Sequence, residues 1–431
     1  MNNRRPVVVA LCAVGILAFA LVCAASPAAA RGNRAMHDPA AVLNWNQIAA
    51  RADLVAMQTN QESMLHMAYV QAAVFDAVDA IDGGYRPYVG HLRAYGAADA
   101  DAAVAAAAHQ VLVSEYPTQT STLDADYAVA LAAIRDGPAK RRGVSIGRQA
   151  AAELLAARAS DGYGANVPYT FGSGPGVWVL PTDNPATAPA TPWVATMHPF
   201  VMRSADQFRP GPPPALTSAE YTTAYNETKT YGSKTSSVRT AAQTDIALFW
   251  GLGRATTQYN EVVRRIVQGT ALSRIQAARA LALLNLIGAD AFIACFDAKY
   301  TYSAWRPYTA IRAADTDANP GTAPDPAWTP LVTTPNHPEY TANHSCVSTS
   351  FAKTIDHLLG PNRFDVTVTG APASTEERHF TNSDQFIAEI ANARVWGGVH
   401  FRFSTAAGTT IGKAVAGYDF RHALQPVRDR D

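Results

Sequence analysis

Three separated pieces of this chain carry the side chains that an enclosed, multiply charged oxyanion requires: KYTYSAWRP (Lys299 to Pro307), HPEYTANHS (His337 to Ser345) and ARVWGGVHF (Ala393 to Phe401). Lys299 and Arg306 stand seven residues apart, a spacing that returns nearly to the same helix face two turns on, so one face is expected to present two cations. Pro307 cannot continue a helix and biases Arg306 away from helical angles, which sets the guanidinium at the fraying end. Arg394 and His400 would point about 120° apart on an unbroken helix. Gly397-Gly398 can end that helix and turn His400 back toward Arg394. Asn343-His344 precede SCVSTSFAKTIDHLLG, whose Val347, Phe351, Ile355, Leu358 and Leu359 spacing predicts a helix. The N–H groups and positive dipole end of its first turn suit an anion. Singly each feature is ordinary, since a Lys/Arg pair is usually a solvated face and a lone histidine a satisfied polar residue.

Together, in this order, these residues resemble the vanadium-dependent haloperoxidases and the related type 2 phosphatidic acid phosphatases, whose signature is K-x6-R-P, then P-S-G-H, then S-R-x5-H. The outer motifs match in spacing at Lys299, Arg306, Pro307, Arg394 and His400, and His344 falls on the histidine of the middle motif. The family's proline, serine and glycine before that histidine are Thr341, Ala342 and Asn343 here, and its serine before the arginine is Ala393. Serine replaced by Ala342 removes one hydroxyl donor, worth about 1–3 kcal/mol if the bond is charge-assisted. The likeness extends through Phe249 to Ile266 and Ala289 to Arg312, most clearly to the bacterial branch.

The resemblance implies an all-α fold and a vanadate cofactor held by Lys299, Arg306, Arg394 and the backbone of Ala342 and Asn343. His400 would be the ligand to vanadium, His344 the acid/base, and Lys299 the group polarising peroxide. Hydrogen peroxide and a halide would be the substrates. His337 occupies the place that resembles the histidine of bromide oxidisers, so bromide or iodide is expected rather than chloride. Two other readings stay open. Phosphate has the same tetrahedral shape, so the pocket could serve an acid phosphatase that hydrolyses phosphoesters through a phosphohistidine at His400. The chain could also bind oxyanions without catalysis, its activity lost with the serine at position 342.

Composition sets the frame. The chain has 431 residues, 48% hydrophobic and 16% charged, enough for a large core, and its formal charge is zero. No basic stripe argues for nucleic acid. Residues 1–30 read as a secretory leader: Arg4 and Arg5, the apolar run Val7 to Val22, then Ala28-Ala29-Ala30 before Arg31. The mature protein is therefore expected to be exported, to the periplasm or beyond, with no membrane span. Cys12 and Cys23 lie in that leader. Cys295 and Cys346 flank the proposed pocket, where a bridge is possible although buried free thiols are the commoner outcome.

The elements that must position the site are helices. Residues 31–161 form an N-terminal helical half with helices expected over Ala41 to Ala52, Met64 to Ile81, Ala102 to Leu112, Thr122 to Ile134 and Val144 to Ala157. His66 and His109 sit in them as structural residues. Residues 162–215 carry eleven prolines between Gly162 and Pro214, yet also Trp178, Trp193, Phe200 and Phe208, which predicts an ordered connection wrapping the helices. Residues 216–431 form the C-terminal half bearing the anion site. There a capping box at Thr217 to Glu220 opens a helix to Tyr231, followed by long helices over Thr240 to Gln268 and Ser273 to about Trp305. Asp290 and Asp297 on the latter are expected to orient the neighbouring cations rather than hold a divalent metal. Asp315 to Pro335 reads as a loop, DVTV as a short strand or loop, and Asp384 to Trp396 and Ala406 to His422 as closing helices. The architecture expected is two helical bundles packed as one unit.

Overall fold

In the computed structural model, which describes residues 38–370 and 376–427, the chain is built around one helix that is buried on almost every side. Thirteen α-helices are described: α1 (Ala40–Val55), α2 (Asn60–Asp82), α3 (Ala100–Glu115), α4 (Thr120–Ala132), α5 (Pro138–Arg158), α6 (Ala219–Gly232), α7 (Ala241–Leu252), α8 (Ala255–Gln268), α9 (Arg274–Tyr302), α10 (Pro307–Arg312), α11 (Asn343–Leu359), α12 (Ser383–Trp396) and α13 (Arg402–His422). The all-α expectation is borne out. Residues Pro39–Asp431 pack as one unit. The expected leader and its two cysteines lie outside the described residues.

Helix α9 packs against α2 of the N-terminal half and against α11 and α13 of the C-terminal half. This 29-residue helix contains an 18-residue window of mean hydropathy 1.7, long and apolar enough to cross a membrane, contrary to the expectation that nothing beyond the leader would be, but that window is wholly buried. Burial of this one helix joins early and late helices of the chain in one core. Helix α13 lies close on α11 because Gly408 and Gly412 have no side chain. A Cβ at Gly408 would stand 2.5 Å from the Ala342 carbonyl oxygen, and one at Gly412 2.3 Å from that of Cys346. The small residues thereby set the position of α11's first turn.

Several local expectations are corrected. Ser218, not Thr217, caps α6, its hydroxyl accepting from the Tyr221 N–H. The stretch Thr240 to Gln268 is two helices, because Gly253 takes an extended conformation (φ −69°, ψ 152°) and the Gln258 side chain packs against it. DVTV does form a strand, β1 (Val366–Thr369), antiparallel to β2 (Glu377–Phe380).

The Pro-rich connection is ordered, with Trp178 and Trp193 buried. Asp290 accepts the backbone N–H groups of Phe200, Val201 and Met202 at 2.6–2.8 Å. Asp297 takes Arg209 in a bidentate pair at 2.6 and 2.7 Å. These two acids thus hold the connection to α9 and do not orient Lys299. Among the described residues no cluster of three or more metal-ligating side chains occurs.

Candidate active site

Helix α9 ends earlier than its sequence suggests, and this changes how the two cations meet. Ser303 adopts a left-handed conformation (φ 46°) and closes the helix at Tyr302. Residues 303–305 then pair with the connection, the Trp178 N–H donating to Ser303 O at 2.8 Å and the Trp305 N–H to Gly176 O at 2.9 Å. Lys299 therefore stands on the last turn of α9, whereas Arg306 is the extended residue before Pro307 opens α10. They do not share a helix face. They converge because both reach the same non-helical strut, residues 337–342.

Lys299 Nζ donates to the Pro338 and Glu339 carbonyls at 2.9 and 3.0 Å. Arg306 Nε donates to His337 O at 2.8 Å, one terminal nitrogen to Val399 O at 2.8 Å, and the other contacts His337 Nδ1 at 2.9 Å. The same strut reaches α13, where the Ala342 N–H donates to Ser404 O at 3.1 Å. Ala342 is the fully buried N-cap residue of α11, with no side-chain cap, and Asn343 begins the helix. The expected helix N-terminus at the site is thus present.

Arg394 and His400 meet through the turn the glycines make. Arg394 is on the last turn of α12, and Gly398 (φ 76°) lets the Val399 N–H return to Arg394 O at 3.2 Å. A Cβ at Gly398 would lie 2.4 Å from the Gly232 carbonyl oxygen, so only glycine fits this turn. Helix α13 begins at Arg402, four residues before the expected start, which holds His400 just outside its first turn.

The electrostatics of the cluster are unusual. Lys299, Arg306 and Arg394 are all buried. Burial pushes Lys299 down to about 7, Arg306 to about 10, and Arg394, with help from Arg306, to about 9. His337, His344 and His400 are held well below the ordinary histidine value by burial and by the same cations, so all three are neutral. The Arg394 charge lowers both His344 and His400. His344 is half-buried, and the Trp250 backbone near the end of α7 opposes the lowering.

One feature points to an anionic guest. The Nε and one terminal nitrogen of Arg394 are buried with no hydrogen-bond partner. Buried donors on a charged group are costly unless satisfied, so they mark where acceptor oxygens belong. An oxyanion such as vanadate or phosphate fits this donor set; a bare metal cation does not.

One residue of the cluster was not anticipated. Glu339 is fully buried, and its Oε1 lies 2.9 Å from His400 Nδ1 and accepts the Phe401 N–H at 2.9 Å. Burial raises its carboxyl to about 7. Cys295 and Cys346 are free buried thiols, joined through the Thr341 hydroxyl at 3.2 and 3.5 Å rather than bridged.

Residues 279–429 match the family model of the VCPO second helical-bundle domain. Among solved structures, the chain is similar to the first bacterial vanadium-dependent iodoperoxidase, with 22% identity over 91% of this chain and 98% of that one and a TM-score of 0.77. It is similar also to a bacterial vanadium-dependent chloroperoxidase, in its apo form (18% identity, 83% and 93% coverage, TM-score 0.65) and its holo form (17%, 88% and 96%, TM-score 0.66). No curated protein is matched by sequence. The resemblance read from the motifs is therefore borne out at the level of the second bundle and of the whole fold.

Proposed function

We propose that this chain is a haloperoxidase-like enzyme that holds vanadate and uses hydrogen peroxide to oxidise bromide or iodide. The observation that carries this reading is the convergence of three buried cations, one with unpaired donors, on a neutral imidazole. Lys299, Arg306, Arg394 and the Asn343 N–H would hold the oxyanion, and His400 Nε2 would be the ligand to vanadium. When bound, vanadate supplies a Lewis-acidic centre that activates peroxide toward attack by halide. The net reaction consumes halide, peroxide and one proton and yields hypohalous acid and water.

The protein's own groups divide the remaining work. His344, neutral and half-buried, takes a proton from incoming peroxide and returns one to the departing oxygen. Lys299 keeps one ammonium hydrogen beyond its two carbonyl partners, available to polarise an oxygen of the guest. His337 lies against Arg306 and against the Phe296 ring at 5.3 Å, a polar rather than apolar neighbour for the halide. That environment supports bromide or iodide over chloride, and comparable turnover of chloride would contradict it.

A second reading is favoured by the state of His400. A neutral imidazole with Nε2 toward a cationic cradle is also what attack on a phosphoester phosphorus requires, with His344 protonating the leaving alcohol. Two assays on one preparation separate the readings: bromination of monochlorodimedone with vanadate and peroxide, and hydrolysis of p-nitrophenyl phosphate without vanadate. Bromination as the dominant activity is expected. Hydrolysis alone would install the phosphatase, and oxyanion binding with neither activity would leave a binding protein. Export is part of the proposal, and sequencing of the mature N-terminus is expected to begin at Arg31.

A further inference from the structure

The buried carboxylate of Glu339 is unlike the other acids near the site. Lys299 and Arg306 take their short contacts from backbone carbonyls and imidazole nitrogens, and no ion pair joins either of them to Glu339. Glu339 instead spends Oε1 on the His400 ring and on the next backbone N–H, while its Oε2 has no partner at all. A carboxylate placed only to neutralise cations would face them. This one faces the far side of an imidazole.

The hydrogen-bond directions around that imidazole fix its tautomer from both sides. Arg306 can only donate, so at 3.2 Å from its guanidinium nitrogen His400 Nε2 must accept, and the ring proton must sit on Nδ1. Glu339 Oε1 at 2.9 Å is the acceptor for that proton. The Phe401 N–H, bonded to the same oxygen, ties the carboxylate to the turn that carries the ring, and Thr228 Oγ1 donates to His400 O at 3.2 Å. Oxyanion coordination needs the Nε2 lone pair, in this tautomer and at this angle.

We infer that Glu339 is the positioning residue of the anion site, accepting the His400 Nδ1 proton so that the Nε2 lone pair is presented to an oxyanion whose central atom it can coordinate. This rests on the proposed oxyanion site but is separable from it, because the tautomer exists before any guest arrives. The role also predicts opposite effects on two guests of the same shape. Vanadate gains a bond to nitrogen and depends on the lone pair. Phosphate is held by the cations alone and is repelled by a nearby carboxylate.

The test uses the full mature chain with Glu339→Met, which removes the acceptor, and Glu339→Gln, whose amide oxygen retains it. Imidazole 15N shifts of guest-free protein, with His400 assigned by its own substitution, report the tautomer. Calorimetry reports affinity for vanadate and for inorganic phosphate. The wild type is expected to show His400 as the Nδ1–H tautomer, E339Q to keep it, and E339M to lose it. Vanadate affinity in E339M is expected to fall about 10–100-fold while phosphate affinity is unchanged or rises, with E339Q recovering most of the loss. Parallel loss of both anions would mean a merely structural carboxylate and would overturn the inference. So would an unchanged tautomer and vanadate affinity in E339M, or, should E339M fail to fold, a Nε2–H tautomer in the wild type. A wild type that binds neither anion yet shows the Glu339-dependent tautomer would sink the oxyanion reading and leave the positioning role standing.

Discussion

Replacing Arg394 by methionine should push stability and binding in opposite directions. The guanidinium is 2% exposed, forms no ion pair with any described acid, and leaves Nε and one terminal nitrogen without acceptors. Burial and the neighbouring Arg306 bring its pKa down to about 9, so carrying the charge at neutral pH costs the guest-free fold several kcal/mol. Methionine fills most of the same volume without charge or donors, and Arg394→Met is expected to leave the guest-free protein as stable as the wild type or about 1–3 kcal/mol more so. Binding moves the other way. At least two charge-assisted bonds to the guest are lost, each worth about 1.5–3 kcal/mol, so vanadate and phosphate should bind roughly 10²–10⁴-fold more weakly. Urea unfolding without anion gives the first quantity and calorimetry the second. A guest-free variant destabilised by more than about 2 kcal/mol, or one that binds phosphate within threefold of the wild type, would refute the reasoning, since Arg394 would then have partners of its own.

Other substitutions probe the frame. Ala342→Ser restores a hydroxyl at the N-cap of α11 and should tighten vanadate binding by about 1–3 kcal/mol, measured by the same titration. Gly408→Ala places a methyl group against the Ala342 carbonyl and is expected to cost about 1–3 kcal/mol in urea unfolding while weakening anion binding, because α11's first turn must shift. Asp419 is fully buried with no donor on either oxygen, and burial together with Asp290 raises its carboxyl well above the ordinary value. A raised acid stabilises the fold most below its unfolded pKa and loses that contribution as pH climbs toward the folded one. Asp419→Asn should therefore raise the melting temperature at pH 8 relative to the wild type, with a smaller difference or none at pH 4.

The helices were legible because their signals are local: apolar periodicity in α2 and α11, glycines at Gly397-Gly398, and Pro307 as a stop to the helix before it; the short α10 that Pro307 opens was not read. The site's membership was legible for a different reason, its motif spacing, and the physical cause first assigned to that spacing was mistaken. Lys299 and Arg306 meet across the strut of residues 337–342, and the left-handed Ser303 that separates them is held by a connection more than a hundred residues away in sequence. Asp290 and Asp297 misled for the same reason, since their partners, Phe200 to Met202 and Arg209, are brought to α9 only by the tertiary fold. Glu339 sits in a Pro-flanked loop with no local feature that distinguishes it from a solvated acid, and only the placement of His400 beside it reveals its contact.

Diffraction from crystals soaked in vanadate, with the vanadium located by its anomalous signal, tests the central claim most directly. A single strong peak is expected within bonding distance of His400 Nε2, its oxygens reached by Lys299, Arg306 and Arg394. A peak elsewhere in the molecule, or an empty cluster at vanadate concentrations that saturate binding in solution, would contradict the account.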